Sequence, residues 1–318
     1  MKSNTNFLTK LKFTFVLAVS LSFFSAIAQS EDKSYLKQFD PTSKTHINNF
    51  IPISKYGPVV TLSNLPEALK NPGLYRSARF SNSALTDFPE QIFLFQNLEE
   101  LDISDNFLTI IPSRLNELKN LKELHVNKNR LTSLGSEITS CRKLEVLQIQ
   151  DNPLESISKE IGKLISLREL TIGEIGRNCT VPIELWNLTS LIKLKITNAN
   201  LTEIPVAISG LKLLEELCLA SNSISEVPEA LYTLTRITYI NLGYNKINSL
   251  SPSVKALENL DYLGVYYNPI AKFPEEISSL KKLSFLSCWK TNLSSIEIEK
   301  AKKKLPATKV HDTETELH

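Results

Sequence analysis

The side chains best suited to covalent or metal chemistry are few in this 318-residue chain. It contains four cysteines and four histidines, with no Cys-x-x-Cys spacing and no carboxylate–histidine cluster that would bring metal ligands together. Glycine is scarce, at nine residues, and no glycine-rich loop is present to cradle a phosphate group. We therefore predict no metal site and no cofactor.

Aromatic side chains are the second chemically distinctive group, because tyrosine and tryptophan combine a large rigid contact area with a polar group. Several of the chain's nine Tyr, fourteen Phe and two Trp residues cluster between residues 239 and 289. Exposed clusters of this kind are typical of binding surfaces. The formal net charge of +2 argues against a protein that coats nucleic acid, so we predict no nucleic-acid partner.

A leucine pattern of fixed period must position all of these side chains. The first clear copy reads Leu-x-x-Leu-x-Ile-x-x-Asn-x-Leu-x-x-Ile-Pro from Leu98 to Pro112, and a degenerate copy starts at Tyr75. The pattern restarts every 23 residues, with one step of 24, at Leu121, Leu144, Leu167, Leu191, Leu214, Ile237, Leu260 and Leu283. About ten repeats therefore cover most of the chain, and positions are counted below from the first residue of each repeat.

The residue types explain what one repeat builds. Side chains alternate along a strand, so the fourth and sixth positions point to one side and their neighbours to the other. One repeat cannot bury that apolar side alone, whereas parallel stacking of many repeats buries a continuous core. The asparagine at the ninth position can pair with backbone groups of adjacent turns, which predicts a structural ladder of Asn106, Asn129, Asn152, Asn222, Asn245 and Asn268.

This pattern resembles the leucine-rich repeat family in its 23-residue Leu-Pro form, and bacterial secreted or surface members in particular. The resemblance implies an α/β solenoid, a horseshoe with a parallel concave β-sheet, about ten repeats, and a cap at each end. Extracellular animal members usually carry cysteine-rich flanks, and this chain has none. The resemblance also implies a binding role, although leucine-rich repeats serve many unrelated partners.

The N-terminal segment predicts export. Lys2, Lys10 and Lys12 precede an uncharged apolar stretch and a small-residue cleavage site, which is typical of a secretory signal peptide. We expect no membrane span in the mature chain, and a secreted, periplasmic or cell-surface location. The predicted organisation is a signal peptide at 1–28, a polar lead-in at 29–58, an N-terminal capping helix region at 59–74, repeats at 75–296, and a C-terminal cap and tail at 297–318.

The repeat register also places the cysteines and histidines. Cys141 and Cys288 occupy core positions and are predicted to be inert, whereas Cys218 and His125 point outward. Those two residues lie four strand spacings apart, about 19 Å, which is too far for a nucleophile and its base. We therefore predict that the chain is not an enzyme.

The concave face is predicted from the third, fifth, seventh and eighth positions. Its first half is polar and mostly acidic, with Glu100 and Glu123 at the third position. Gly243, Gly264 and Ala220 are expected to leave shallow gaps between the rings of the last repeats. Seven aromatic residues form the candidate partner-binding site there: Tyr239, Tyr244, Tyr262, Tyr266, Tyr267, Phe285 and Trp289.

Three interpretations of this aromatic cluster remain open. The first is a protein-binding surface, acting at the cell surface or on host proteins. The second is a carbohydrate-binding or envelope-organising surface whose rings stack on sugars. The third is that neighbouring rings only stack on one another and stabilise the sheet. If partner binding is correct, replacing Tyr262, Tyr266 and Trp289 with Ala should abolish it while leaving the thermal transition within a few degrees.

The repeat from Leu167 to Ser190 is irregular. It is one residue longer than the others, with Ile175 at the ninth position in place of asparagine and Arg177 where Leu is expected. Gly173 and Gly176 give this repeat freedom to bulge. It is either a defect that the solenoid tolerates or a local kink that serves binding.

Overall fold

The computed structural model describes residues 53–176 and 179–313. Its main feature is a 13-stranded sheet in which each repeat contributes one short strand. The strands of this sheet, in chain order, are β1 (Ile53–Ser54), β2 (Gly57–Val60), β3 (Ser77–Arg79), β4 (Glu100–Asp102), β5 (Glu123–His125), β7 (Val146–Gln148), β9 (Glu169–Gly173), β10 (Lys193–Thr197), β11 (Glu216–Cys218), β12 (Tyr239–Asn241), β13 (Tyr262–Gly264), β14 (Phe285–Ser287) and β15 (Lys309–His311). The predicted signal peptide and most of the lead-in lie outside the described residues, as do Arg177 and the last five residues.

Strand pairing is parallel from β2 to β15, and the third positions of successive repeats face each other. Tyr239 therefore pairs with Tyr262, and Tyr262 pairs with Phe285. A separate pair of two-residue strands, β6 (Ser133–Leu134) and β8 (Ser156–Ile157), lies outside this sheet. The predicted parallel solenoid is confirmed.

The return segment of each repeat is a five-residue 3-10 turn. Its apolar residue, such as Leu115 or Ile277, is fully buried against the strand leucines. The segments are Glu90–Leu94, Ser113–Glu117, Ser136–Ser140, Lys159–Lys163, Ile183–Asn187, Val206–Gly210, Glu229–Thr233, Pro252–Ala256 and Glu275–Ser279. Within the described residues, α-helix is confined to the two ends, because a 23-residue unit has no room for a longer helix.

The asparagine ladder is confirmed in detail. The Asn129 side chain donates to the carbonyl oxygens of Ile103, Val126 and Asn127 at 3.1–3.2 Å. Its carbonyl oxygen accepts from the Leu108 amide at 3.0 Å. One buried side chain thus bonds four backbone groups across two repeats. The Leu108 amide depends on it, whereas each of the three carbonyl oxygens also accepts from a second donor.

The ladder is interrupted in the middle of the solenoid. Ile175 and Ala199 occupy the ninth position in two successive repeats, and neither can replace an asparagine amide. An asparagine at position 175 would accept a hydrogen bond from the Leu154 amide. With isoleucine there, the Leu154 amide instead donates to the Asn152 carbonyl oxygen at 2.7 Å. In the same two repeats β9 and β10 pair over five residues rather than three.

The two glycines of the irregular repeat serve close packing instead of a bulge. A Cβ on Gly176 would lie 2.6 Å from the Leu154 carbonyl oxygen, and one on Gly173 would lie 2.6 Å from the Thr197 hydroxyl. Neither glycine has a positive φ. These positions require glycine because a neighbour approaches too closely for a side chain.

The eighth position has left-handed backbone in every repeat. Positive φ values of 46° to 57° occur at Asn82, Asp105, Lys128, Asp151, Glu174 and Asn198, and values of 52° to 59° at Ser221, Tyr244, Tyr267 and Lys290. This residue turns the chain out of the strand, so the turn does not depend on glycine. Asn and Asp tolerate this conformation best, and larger side chains adopt it at a cost.

Both ends of the sheet are capped. At the start, β1 and β2 form an antiparallel hairpin whose turn uses Gly57 at a φ of +99°, followed by helix α1 (Leu65–Ala68) and a 3-10 turn at Pro72–Leu74. At the other end, helix α2 (Ser295–Lys304) leads to β15, as the sequence predicts. The hairpin begins inside the predicted lead-in. The repeat pattern predicts no strand there, because these residues are aperiodic. No described helix is long and apolar enough to span a membrane.

Candidate partner-binding surface

The seven predicted aromatic residues form one continuous cluster, here called the aromatic surface. At the third position, Tyr239 stacks on Tyr262 with ring centroids 4.5 Å apart, and Tyr262 stacks on Phe285 at 5.6 Å. At the seventh position, Tyr266 lies parallel to Trp289 at 5.8 Å. The parallel register aligns equivalent side chains of adjacent repeats, so these rows follow directly from the strand pairing.

The eighth position adds a third row. Tyr244 stacks on Tyr267 at 4.1 Å, the closest ring contact of the cluster. Edge-to-face contacts of 5.5 Å from Tyr244 to Tyr266 and 4.7 Å from Tyr267 to Trp289 join this row to the seventh-position row. The cluster is thus a packed assembly of rings.

Burial differs sharply within the aromatic surface. Trp289 is 7% exposed, whereas Tyr244 is 45% exposed. The last rings of two rows are covered by the closing strand, with the Lys309 ammonium 5.9 Å from the Phe285 centroid and the His311 ring 6.1 Å from that of Trp289. Ring faces are therefore largely occupied by other rings.

The expected gaps between the rings are absent at the two glycines. A Cβ on Gly243 would lie 2.3 Å from the Tyr266 ring, and one on Gly264 would lie 3.0 Å from the Tyr262 ring and hydroxyl. Ala220 is itself buried. The prediction of open gaps is wrong because neighbouring tyrosines fold over the small residues and fill the space.

Asn241, at the fifth position, organises the polar side of the surface. Its amide nitrogen donates to the Tyr266 hydroxyl oxygen at 3.2 Å and lies 3.5 Å from that of Tyr239, while its oxygen accepts from the Gly243 amide at 3.0 Å. Since the Tyr266 oxygen is used as an acceptor, its own proton remains available to a further group. Sequence reasoning missed this residue, because an asparagine on a strand has no distinctive pattern.

The phenols of this surface are held in the protonated state. Burial raises the pKa of the Tyr239, Tyr262 and Tyr266 hydroxyls above the ordinary value, and the Asn241 hydrogen bond offsets part of the effect for Tyr239 and Tyr266. These groups therefore act as neutral hydrogen-bond donors at physiological pH.

Two carboxylates in the first half of the concave face are paired within the chain. Arg79 forms an ion pair with Glu100, with two guanidinium nitrogens 3.0 and 3.1 Å from one carboxylate oxygen. Lys55 of the N-terminal hairpin forms an ion pair with Glu123, and the Tyr56 hydroxyl donates to the same carboxylate at 2.9 Å. Glu100 and Glu123 are thus engaged by this chain's own residues, and the hairpin reaches across to β5.

These contacts shift the titration of both partners. Burial, reinforced by Glu123, raises the pKa of Tyr56 to about 12. Burial opposes ionisation of Glu123, but hydrogen bonds from Lys55 and Tyr56 outweigh it and lower its pKa below 4.5. The attachment therefore contributes stability above the carboxyl's unfolded pKa, and this contribution is lost as pH falls through the lower folded value.

Changing Glu123 to Gln should release the hairpin while leaving the repeats folded. We expect faster amide hydrogen exchange in residues 53–60, because one ion pair and its partner hydrogen bond are weakened. In wild-type protein the same exchange should accelerate as pH falls below the unfolded carboxyl value, after correction for intrinsic rates. Glu216, at the equivalent position of another repeat and paired with Lys193 at 3.2 Å, provides the matched Glu→Gln control. Unchanged exchange in the Glu123 variant would show that the hairpin is held by other contacts.

The cysteines lie at buried or half-buried positions. All four are free; Cys141, Cys179 and Cys288 are buried, and Cys218 is half-buried rather than exposed. Burial raises the pKa of the Cys218 thiol. It raises the pKa of the Cys288 thiol to about 12. Strands β7, β9 and β10 lie between His125 and Cys218. Among residues 53–176 and 179–313, no group of three or more His, Cys, Asp or Glu side chains is arranged to hold a metal ion.

Comparison with known proteins matches this geometry. A family model for leucine-rich repeats, in two copies, matches residues 96–140. An internalin from Listeria monocytogenes is 22% identical, with a TM-score of 0.59, and the match covers 77% of each chain. No curated protein matches the chain in sequence.

Two plant receptors show the same fold over longer arrays. The ectodomain of the Arabidopsis thaliana membrane receptor kinase GASSHO1/SCHENGEN3, in complex with CASPARIAN STRIP INTEGRITY FACTOR 2, is 30% identical over 70% of this chain, with a TM-score of 0.58. The Arabidopsis receptor kinase HAESA, in complex with the peptide hormone IDA and the co-receptor SERK1, is 21% identical over 69%, with a TM-score of 0.61. The matches span 28% and 40% of those two chains.

Proposed function

We propose that this chain, a leucine-rich repeat solenoid, is an exported, non-catalytic module that binds a protein partner through the aromatic surface of its concave face. The observation that carries the proposal is the gathering of seven aromatic side chains on the outward side of three successive repeats. The leucine core does not require them, since the preceding repeats carry no aromatic residue at the third, seventh or eighth position.

Backbone conformation adds support. Tyr244 and Tyr267 occupy the left-handed eighth position with φ values of 53° and 52°. This conformation costs an ordinary side chain about 1–2 kcal/mol, whereas Asn or Asp fills the position in several other repeats. Stacking of the two rings returns about 0.5–1.5 kcal/mol. Stability alone therefore gives little reason for tyrosine at these two positions.

The structural relatives are consistent with this role. Two of them are receptors whose structures contain a bound peptide hormone or integrity factor, and another is an internalin. Protein or peptide binding on this fold is therefore the function class that we transfer to this chain. Its partner, its compartment and its release or retention at a surface belong to the proposal.

The carbohydrate alternative has weaker geometric support. Sugar rings bind aromatic side chains through the flat ring faces, and here Tyr239, Tyr262 and Phe285 use those faces to stack on one another. The ring edges and hydroxyl groups suit the backbone and polar groups of a protein. Titration with cell-wall or host glycans, followed by Trp289 fluorescence, tests the alternative directly.

Replacing Tyr244 and Tyr267 together with Asn should separate binding from folding. We expect the free energy of unfolding to change by no more than about 1 kcal/mol, because relief of the left-handed backbone offsets the lost stacking. Partner capture should fall at least about tenfold, since an exposed and a half-buried aromatic contact disappear. The measurement is quantitative pulldown from surface and secreted fractions, with partners identified by mass spectrometry.

The matched control replaces Asp105 and Asp151, which occupy the same left-handed position in the first half, with Asn. A protein captured equally by wild type, the tyrosine variant and the control would argue against the aromatic surface. Export is tested separately, by asking whether external protease cleaves the protein on intact cells. Protection of the protein on intact cells, with none in the medium or periplasm, would contradict export.

A further inference from the structure

We infer that the aromatic surface binds an extended acidic segment of its protein partner, with carboxylates near both ends of the contact. This inference rests on the proposed function and goes further by naming the chemistry of the partner. Three independent observations lead to it: the direction of the available hydrogen bonds, the division of charge along the concave face, and the spacing of its lysines.

The hydrogen-bonding groups of the surface are predominantly donors. Raised pKa values keep the three half-buried phenols protonated, and Asn241 uses its own oxygen internally while donating to Tyr266. The Trp289 indole nitrogen is a buried donor without an acceptor among the described residues. Ring edges also carry partial positive charge. A partner rich in acceptors, such as carboxylates and backbone carbonyls, complements this set.

Charge divides the concave face into two halves. In the described repeats before Leu191, the concave positions carry Glu100, Asp102, Asp105, Glu123, Asp151, Glu169 and Glu174, against the cations of Lys55, Arg79 and Lys128. From Leu191 onward the concave positions of the described strands carry one carboxylate, Glu216, which is already paired with Lys193. The aromatic surface therefore lies in the basic half, where an acidic segment is attracted and a basic one is repelled.

Lysines flank the aromatic surface on both sides. Lys195 lies on β10 before the rings begin, and Lys309 lies on β15 over the last ring of the third-position row. Five strand spacings separate β10 from β15, about 24 Å, which an extended chain crosses in about seven residues. The geometry therefore predicts acidic residues about seven positions apart, with apolar or small residues between them.

The inference can be tested without knowing the natural partner. Phage-displayed random dodecapeptides are selected on purified full-length protein and, in parallel, on the variant with Tyr244 and Tyr267 replaced by Asn. Wild type should enrich Asp and Glu at two places about seven residues apart. An enriched peptide should bind the Lys195→Glu variant at least about tenfold more weakly, whereas Lys128→Glu, in the acidic half, should bind it within about twofold of wild type.

The outcomes are distinguishable. Peptides that depend on the two tyrosines but are neutral or basic would overturn the acidic-segment inference and leave the proposed function standing. Peptides enriched equally on wild type and the tyrosine variant would overturn the proposed function as well. A parallel titration with chondroitin sulfate tests whether the surface binds an acidic glycan instead of a peptide. Binding of that glycan that depends on the two tyrosines, with no acidic peptide enriched, would contradict the inference.

Discussion

Replacing Asn129 with Ala is expected to lower the free energy of unfolding by about 3–5 kcal/mol, the largest single-residue effect that we predict outside the aromatic surface. The side chain is 7% exposed and bonds four backbone groups of two repeats. Alanine leaves the Leu108 amide without a partner, at a cost of about 1–3 kcal/mol. It also removes three hydrogen bonds, each worth about 0.5–1.5 kcal/mol, to carbonyl oxygens that keep one other donor. Chemical denaturation followed by circular dichroism measures the change.

Asn259 provides the matched control. Its amide also donates to the carbonyl of the preceding repeat, Thr235, at 2.8 Å, but at an exposed position on the return side. Water replaces that partner when the side chain is removed, so Asn259→Ala should change the free energy of unfolding by less than about 1 kcal/mol. Equal effects of the two substitutions would mean that burial does not determine the strength of the ladder.

The Tyr262→Ala, Tyr266→Ala and Trp289→Ala triple variant should lower partner binding by at least about 100-fold and also destabilise the protein. The sequence alone predicts a thermal transition within a few degrees of wild type. The burial of Trp289 changes that expectation, because truncating a buried aromatic residue costs about 3–5 kcal/mol. Tyr266 adds to the cost, since its ring fills the space above Gly243.

Calorimetry and a binding titration against the partner identified by pulldown measure both effects of the triple variant. Because its destabilisation complicates the interpretation of lost binding, it is compared with the Tyr244 and Tyr267 double variant, which spares the buried rings. Full binding by a folded triple variant would show that the partner contacts another surface. Loss of binding in both variants would support the aromatic surface independently of stability.

The fold could be predicted from the sequence because each repeat has nearly the same spacing of leucine and asparagine. The spacing of the leucines specifies the parallel strands, and the ninth-position asparagines specify the ladder that Asn129 exemplifies. The N-terminal hairpin could not be predicted, since Lys55 and Tyr56 lie outside the repeats and make their contacts with Glu123, 68 and 67 residues away respectively. Periodicity carries no information about such unique contacts.

The candidate site shows the same limit at the level of side chains. Register correctly predicts which aromatic residues adjoin one another, because it depends only on the repeat length. It cannot predict which way a ring folds, so the gaps expected at Gly243 and Gly264 are filled by Tyr266 and Tyr262. The role of Asn241 could not be predicted for the same reason, since its contacts depend on the rotamers of two tyrosines.

The interruption of the asparagine ladder has a consequence for how the solenoid holds together. Repeat arrays derive cooperativity from coupling between nearest neighbours. Ladder hydrogen bonds are missing where Ile175 and Ala199 replace asparagine. The longer pairing of β9 with β10, and side-chain hydrogen bonds from Asn198 to Glu174 and from Asn200 to the Gly176 carbonyl, couple the repeats at that joint. The array thus carries two separate asparagine ladders over one continuous leucine core. The whole aromatic surface lies beside the second ladder, on the far side of this joint from Asn129.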